Sequence, residues 1–462
     1  MSTAWIVVLA IGLVGPLYAL LMGLVARPRA PQRPQQQAPV DIVCLVPCLD
    51  EGLVVVDTVL SLVSMGPTVR VLVIDDASTD GTPELVEQLG HPRVFVHRRH
   101  LPEARLGKGD ALNAGFAIVN QAVAAEGIDP ASVIIAVFDA DSSVDGATLG
   151  VVRSWFTDPR IGAVQIAVRI SNRARSWLAR MQDVEFAGYA SIFQRGRNTL
   201  GSTGLGGNGQ FVRLVALQEL GTTPWSHNLT EDLDLGLRLG INGWRAIFDN
   251  DVAVHQQGVH DGRHLLRQRT RWFQGHLQCW PTLPAIWRSP QRLRARLDLT
   301  LHLLFPAAML LISVPILIAA LSLLRSASLE PAATLEAMAA GPIVPWWYLI
   351  GFLATPLVAV AYWKTEPNVG FLRGLFLAHA YAFFTWIWFI AGWRAVTRQA
   401  IGRSGWTKTA RIDEEHSASS ATPPVAFPPA MFGPRPNVSP VSGVVNEIGR
   451  TVKPARETHV AS

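Results

Sequence analysis

Charge is scarce in this chain. Of its 462 residues only 16% are Asp, Glu, Lys or Arg, 49% are apolar, and the mean hydropathy is +0.25. A wholly soluble protein carries roughly a quarter of its residues charged, so part of this chain belongs in or against a bilayer. Cysteine is nearly lacking. Cys44, Cys48 and Cys279 are odd in number and scattered, which argues against a disulfide framework. Cys44 and Cys48 lie in a predicted strand without a second ligand pair, so they read as core packing rather than zinc ligands. No basic residue precedes the first apolar run, and a cleaved signal peptide needs one. The net charge of +5 comes from arginines flanking apolar stretches, which favours the phosphate-rich leaflet of a membrane over nucleic acid as partner.

The length leaves room for two or three domains. Residues 5–26 form an uncharged apolar run long enough to cross a bilayer, so residues 1–26 are expected as a transmembrane helix. Arg27, Arg29 and Arg33 follow it, which predicts an outside N-terminus and a cytoplasmic domain after a Pro/Gln-rich linker, residues 27–40. Residues 299–324 and 343–362 are further crossing candidates, and 375–389 is a fourth, rich in aromatics; together they define a C-terminal membrane region, 299–395. Four crossings would put the C-terminus outside. Yet Arg394, Arg398, Arg403, Lys408 and Arg411 prefer the cytoplasm, a conflict that a re-entrant, interfacial or miscounted segment would remove. Residues 412–462 are Pro/Ser/Ala-rich with little periodicity and read as a disordered tail.

Between these apolar regions, short β-rich runs at 42–46, 69–74, 94–96 and 133–138 alternate with helical patterns such as 82–89 and 108–123. Alternation of this kind predicts an α/β domain, residues 41–260, with a mostly parallel sheet covered by helices on both faces. An interfacial helical region, residues 261–298, should follow it. Ligands of such sheets sit beyond the carboxyl ends of the strands. Glu51, Asp76, Asp139 and Asp141 all fall just after predicted strands.

Asp139-Ala140-Asp141 places two carboxylates one residue apart, hard oxygen ligands suited to Mg²⁺ or Mn²⁺ shared with substrate phosphates. Asp76 can accept hydrogen bonds from a base edge or ribose, whereas Asp80 fits a helix cap. Gly107-Lys108-Gly109 is no P-loop, because the first glycine is missing and Asp110 replaces Ser or Thr. Lys108 remains a candidate point charge for phosphate. In Thr230-Glu231-Asp232, Thr230 is a plausible N-cap, and Asp232 is a candidate general base toward an acceptor hydroxyl. Arg271 could neutralise a diphosphate and Trp272 could stack on a sugar. A basic, aromatic membrane-surface helix is the competing reading of that segment. His255, His260, His264 and His276 are too irregularly spaced for a metal site.

Taken in order, these motifs resemble the inverting glycosyltransferases of family 2, in the membrane-embedded branch that includes cellulose, chitin and hyaluronan synthases. The similarity covers roughly residues 41–280 and the flanking apolar segments. It implies a GT-A-like nucleotide-sugar-binding domain, a UDP-sugar donor, a divalent metal and direct displacement at the anomeric carbon. By position it implies Asp232 as base and Asp139 and Asp141 at nucleotide and metal. Glu51, Asp76 and Lys108 would then bind nucleotide-sugar, and Gln268, Arg271 and Trp272 diphosphate and acceptor. Gly206-Gly207-Asn208-Gly209-Gln210 departs from the cellulose synthase pattern. The reading that follows is a multi-pass enzyme of the cell membrane extending a β-linked polysaccharide, with room for accessory secretion or regulatory proteins. Single transfer to a lipid is the alternative. A transporter would place charges inside the membrane, and residues 299–324 and 343–362 contain none.

Overall fold

Val, Ile and Leu dominate residues 41–48, 69–75 and 133–137. In the computed structural model each run is a strand buried along nearly its whole length, as a sheet covered on both faces requires. The structure describes residues 3–26, 33–340, 343–403 and 431–432. Its strands are β1 (Asp41–Cys48), β2 (Val69–Asp75), β3 (Val94–Arg98), β4 (Val133–Val137), β5 (Ser143–Val144), β6 (Ile161–Ile170), β7 (Gln210–Arg213) and β8 (Arg245–Gln256). They form one sheet in the order β3-β2-β1-β4-β7-β6-β8-β5.

β1 to β4 pair in parallel. The second half is mixed, with β7 antiparallel to both β4 and β6, β8 parallel to β6, and β5 antiparallel to β8. The mostly parallel sheet expected from the sequence therefore holds for the first half only. Burial patterning shows which residues are covered and carries no information on strand direction. The reversal matters for the site. Because β7 runs against β4, the loop entering β7 lies beside the end of β4, where Gly209 N–H donates to Val137 O at 3.0 Å.

The helices are α1 (Thr3–Val25), α2 (Val55–Ser64), α3 (Thr82–Glu87), α4 (Lys108–Ala125), α5 (Thr148–Trp155) and α6 (Trp177–Gly188). There follow α7 (Arg195–Leu200), α8 (Leu214–Gln218), α9 (Glu231–Ile241), α10 (Gly262–Gln278) and α11 (Leu283–Arg288). One face of the sheet buries Val59 and Leu62 of α2 with Val152 and Trp155 of α5. The other buries Leu112 and Phe116 of α4 with Leu235 of α9. Helices cover both faces, as predicted. A π-helical turn, Tyr189–Gln194, links α6 to α7; such turns widen a helix and often mark functional sites.

Beyond α11 run α12 (Leu293–Leu329), α13 (Pro331–Ala340), α14 (Ile343–Phe352), α15 (Thr355–Thr365), α16 (Phe371–Phe384) and α17 (Ile387–Ala400). Three helical stretches among the described residues are long and apolar enough to cross a membrane: Leu293–Leu329, Val344–Thr365 and Phe371–Ala400. α1 is a further apolar helix of 23 residues. Its C-terminal end meets the α/β domain, with Thr199 Oγ1 donating to Val25 O at 3.2 Å, while Gly12 packs on Ile350 of α14. Glu366, just past α15, accepts from Arg169 of β6 at 2.7 Å, so this stretch also ends against the α/β domain.

Phe371–Ala400 behaves differently. Near its start the ring of Phe376 lies 6.2 Å from that of Trp177 of α6. At its end Gln274 of α10 donates to Gln399 at 3.1 Å and to Arg403 O at 2.8 Å. Both ends thus contact the parts that precede the membrane helices, and the helix breaks at Thr385–Trp386 between them. Of the tail expected at 412–462, all but Met431 and Phe432 lies outside the described residues.

Candidate active site

The loops after β1 and β2 are stitched together by side chain to backbone bonds. Asp50, at a left-handed φ of 52°, accepts from Thr79 N–H at 2.6 Å and from the Thr79 hydroxyl at 3.1 Å. Asp80 accepts from Gly52 N–H at 2.9 Å and Thr82 N–H at 3.0 Å. Burial opposes ionisation of Asp80, but these hydrogen bonds prevail and hold its carboxyl below the usual range. Asp80 therefore shapes the chain. The stitching fixes Glu51, whose own N–H donates to Thr82 Oγ1 at 2.8 Å.

Eight of the nine residues singled out from the sequence line a single cavity of about 500 Å³: Glu51, Asp76, Lys108, Asp139, Asp232, Gln268, Arg271 and Trp272. Asp141 is the exception. It does not line this cavity, and its Oδ2 accepts from Gln257 N–H, at 3.0 Å, on the cavity wall. Asp76 is buried and ion-paired with Arg99. Arg99 was not anticipated, and no local pattern distinguishes it from its neighbour Arg98.

Lys108, first residue of α4, ties three motifs together. Its Nζ donates to Asp139 Oδ1 at 2.6 Å and to Gly207 O at 2.9 Å, and lies 3.8 Å from Glu231 Oε1. Burial would lower its pKa, yet the charges of Asp139 and Glu231 outweigh that and raise it, so Lys108 stays cationic. Glu231 is the counterpart. Burial first, then the neighbouring Asp232, pushes its carboxyl up to about 7 against the pull of Lys108 and Arg271.

Asp232, in the first turn of α9, accepts from Leu233 N–H at 2.8 Å and from Gly207 N–H. Gly207 sits close against both groups, since a Cβ there would lie 3.1 Å from Lys108 Nζ and 3.2 Å from Asp232 Oδ2 and would press on them. Gly209 combines a left-handed φ of 70° with a Cβ position 2.7 Å from Val254. The glycine-rich loop that departs from the cellulose synthase pattern is thus a cradle for Asp232 and Lys108. Thr230 occupies the N-cap position of α9, but its hydroxyl donates to Asn228 at 3.3 Å instead of capping the helix. α10 packs closely here, and a Cβ on Gly275 would fall 2.4 Å from Thr230 Oγ1.

α10 brings Gln268, Arg271 and Trp272 to the opposite wall. Arg271 donates to Leu229 O at 3.2 Å, and the buried Gln268 Oε1 has no hydrogen-bond partner in the structure. Trp272 is braced by Arg269, whose guanidinium lies 4.1 Å from its ring centroid and 5.3 Å from that of Trp388 on α17. Arg269 is fully buried and ion-paired with Glu185, which also accepts from Trp388 Nε1 at 2.8 Å. Below the carboxylates the same cavity is lined by Ala19 of α1, Ile192 and Phe193 of the π turn, Val358 of α15, Tyr381 of α16 and Trp388. The sequence reading missed Trp388 and Tyr381. They sit in an apolar segment whose aromatics look alike until the fold places two of them at the site.

Among the described residues no three His, Cys, Asp or Glu side chains converge as a cation site. The donor set nearest to one is Asp139 and Asp141, with one Asp139 oxygen already held by Lys108. That set suits a hard cation completing its shell on phosphate oxygens and does not suit a caged one.

The strand order, parallel in its first half and mixed in its second, is that of the GT-A architecture, with the acids gathered at its strand ends. A mannosyltransferase from Pyrobaculum calidifontis, solved in complex with GDP-Man and Mn2+, superposes with a TM-score of 0.51 over 78% of this chain and 99% of that one, at 22% identity. The family whose sequence profile matches residues 39–275 is described as glycosyltransferase like family 2, and the chain belongs to it. Beta-monoglucosyldiacylglycerol synthase of Synechocystis sp. is 34% identical over 285 residues, 60% of this chain and 56% of that protein. The synthase of the same description from Nostoc sp. is 33% identical over 283 residues, 60% of this chain and 57% of its own length. The chain thus spans little more than half the length of these curated relatives.

Proposed function

We propose that this chain is a membrane-bound transferase that moves a sugar from a UDP-sugar to the hydroxyl of a membrane lipid of the diacylglycerol class. One observation carries the reading. The cavity that holds the strand-end acids continues without a break onto apolar side chains of the membrane helices, including Ala19 and Val358. A lipid can keep its acyl chains among those helices while its hydroxyl reaches Asp232. The relatives named for monoglucosyldiacylglycerol synthesis favour the same acceptor class over the polymer suggested by Gln268, Arg271 and Trp272.

In this reading Asp232, steered by the Gly207 amide, takes the acceptor's hydroxyl proton. The freed oxygen attacks the anomeric carbon as its bond to the diphosphate breaks, and inversion follows from attack opposite the leaving group. Lys108 and Arg271 offset the charge gathering on that diphosphate. Asp139, with Asp141 beside it, would hold Mg²⁺ or Mn²⁺, which when bound neutralises phosphate charge. α1, α12 and Val344–Thr365 cross the membrane, and Phe371–Ala400 enters and returns on the catalytic side. Three crossings from an outside N-terminus leave the α/β domain and Arg394 to Arg403 on the cytoplasmic side, which removes the conflict posed by the sequence.

The test is detergent-solubilised protein supplied with labelled UDP-sugars and diacylglycerol, with product size and partitioning measured. A single organic-soluble product, lost with EDTA and restored by Mg²⁺ or Mn²⁺, is the expected result. A ladder of long water-soluble products would overturn the lipid acceptor in favour of a polysaccharide.

A further inference from the structure

Two residues of the C-terminal region, Met431 and Phe432, are docked on the α/β domain more than 300 positions away in sequence. Arg70, at the start of β2, donates through Nε to Met431 O at 2.7 Å and through its guanidinium to Phe432 O at 2.8 Å. The Phe432 N–H donates to the Glu126 carboxylate at 3.0 and 3.1 Å. Both faces of the short backbone are therefore read, acceptors by a cation and donor by an anion. The Phe432 ring is 4% exposed, lies 4.8 Å beneath the Arg70 guanidinium, and joins the core cluster that contains Val119 and Val123 of α4. Asp41 pairs with Arg70 at 3.1 Å and so holds the guanidinium in place.

We propose that Met431-Phe432 is a docking motif and that the surface built by Arg70, Glu126 and the C-terminal end of α4 is its receptor, occupied by the chain's own tail. The receptor lies at the strand starts, the end of the sheet opposite the catalytic acids, so the motif tethers the tail without plugging the site. Residues 404–430 connect it to Arg403, and 28 residue steps reach at most roughly 90 Å, well beyond the width of a domain this size. A tether of this length gives an effective concentration on the order of mM, enough to keep a weak motif bound. Pro428, Pro429, Pro434 and Pro436 flank the motif and restrict the unbound chain, which reduces the entropy lost on docking.

Hydrogen–deuterium exchange on the full-length protein in detergent tests this, read by mass spectrometry. Amides around residues 431–433 should exchange at least about ten-fold more slowly than in Phe432→Ala, at a rate unchanged by dilution. The α4 end, residues 119–126, should lose protection in the same variant. Unchanged protection of the β1 to β4 amides in Phe432→Ala checks that the domain stays folded without the ring buried in its core cluster, and Arg70→Ala supplies the complementary loss from the receptor side. Exchange at 431–433 equal in parent and variant would overturn the docking. Protection that fades on dilution would show that the motif docks on a second copy and overturn the tether.

Discussion

The two walls of the cavity are built on opposite principles. The wall made by the strand ends is polar and cross-linked: Asp76 to Arg99, Asp139 to Lys108, Glu231 to Lys108, Asp232 to Gly207. The wall made by α10 and the apolar C-terminal helices is, apart from Gln268 and Arg271, aromatic and apolar, and a buried ion pair on it, Arg269 with Glu185, braces two tryptophans. A charged donor demands preorganised charges, each costly to bury alone, so they arrive as a network. Under the proposed function a lipid hydroxyl would demand little charge and much shape, which Trp272, Trp388 and Tyr381 would supply. The contrast predicts that damage to the first wall stops chemistry, whereas damage to the second changes what is accepted.

The largest effect belongs to Asp232→Asn, which should lower kcat by about 10³-fold while leaving UDP-sugar affinity within a few-fold of the parent. Retained turnover would remove Asp232 as the base. Next in size, Lys108→Ala should cost about 3 kcal/mol of stability, because Asp139 and Glu231 lose their shared cation in a buried setting. Thermal unfolding and donor binding, measured together, should both worsen; an unchanged melting temperature would show the network to be loose. Trp388→Ala addresses the other wall. It should raise the acceptor KM by about ten-fold with the donor KM unaltered, and an equal rise in both would erase the division between the walls.

A pH dependence at Glu231 tests the polar wall independently of catalysis. Its carboxyl titrates near 7 in the folded protein, far above the ordinary glutamate value, so the native state holds a proton that the unfolded state has released. The stabilisation is complete below pH 4.5 and is lost as pH rises through 7. Between pH 5 and 8 the parent should therefore lose more stability than Glu231→Gln. Parallel curves for the two proteins would place the titration elsewhere.

Much of the polar wall was legible before the structure, because acids that follow strands must gather at one end of a parallel sheet. Glu51, Asp76 and Asp139 do so, with Lys108 and Asp232 beside them. Their partners were not legible. Arg99 and Gly207 become specific only when β3 and the loop entering β7 carry them to Asp76 and Asp232. Residues 375–389 were read as a crossing, and they lie within Phe371–Ala400, a stretch long and apolar enough to cross a membrane, but hydropathy does not show which elements its two ends contact. The structure brings Phe376 back to Trp177 and Arg403 back to Gln274. Met431 and Phe432 went unnoticed, since two apolar residues amid prolines make no periodic signal.

By itself the sequence determined the class of fold, the order of the motifs and the presence of helices long and apolar enough to cross a membrane, because strand–helix alternation, acid placement and apolar run length are local properties. Only the tertiary structure decided which wall each side chain occupies, which acid is tied to which base, and where the cavity meets the membrane helices. Those are pairings between residues tens to hundreds of positions apart, and their energies exist only once the sheet order and strand directions are set.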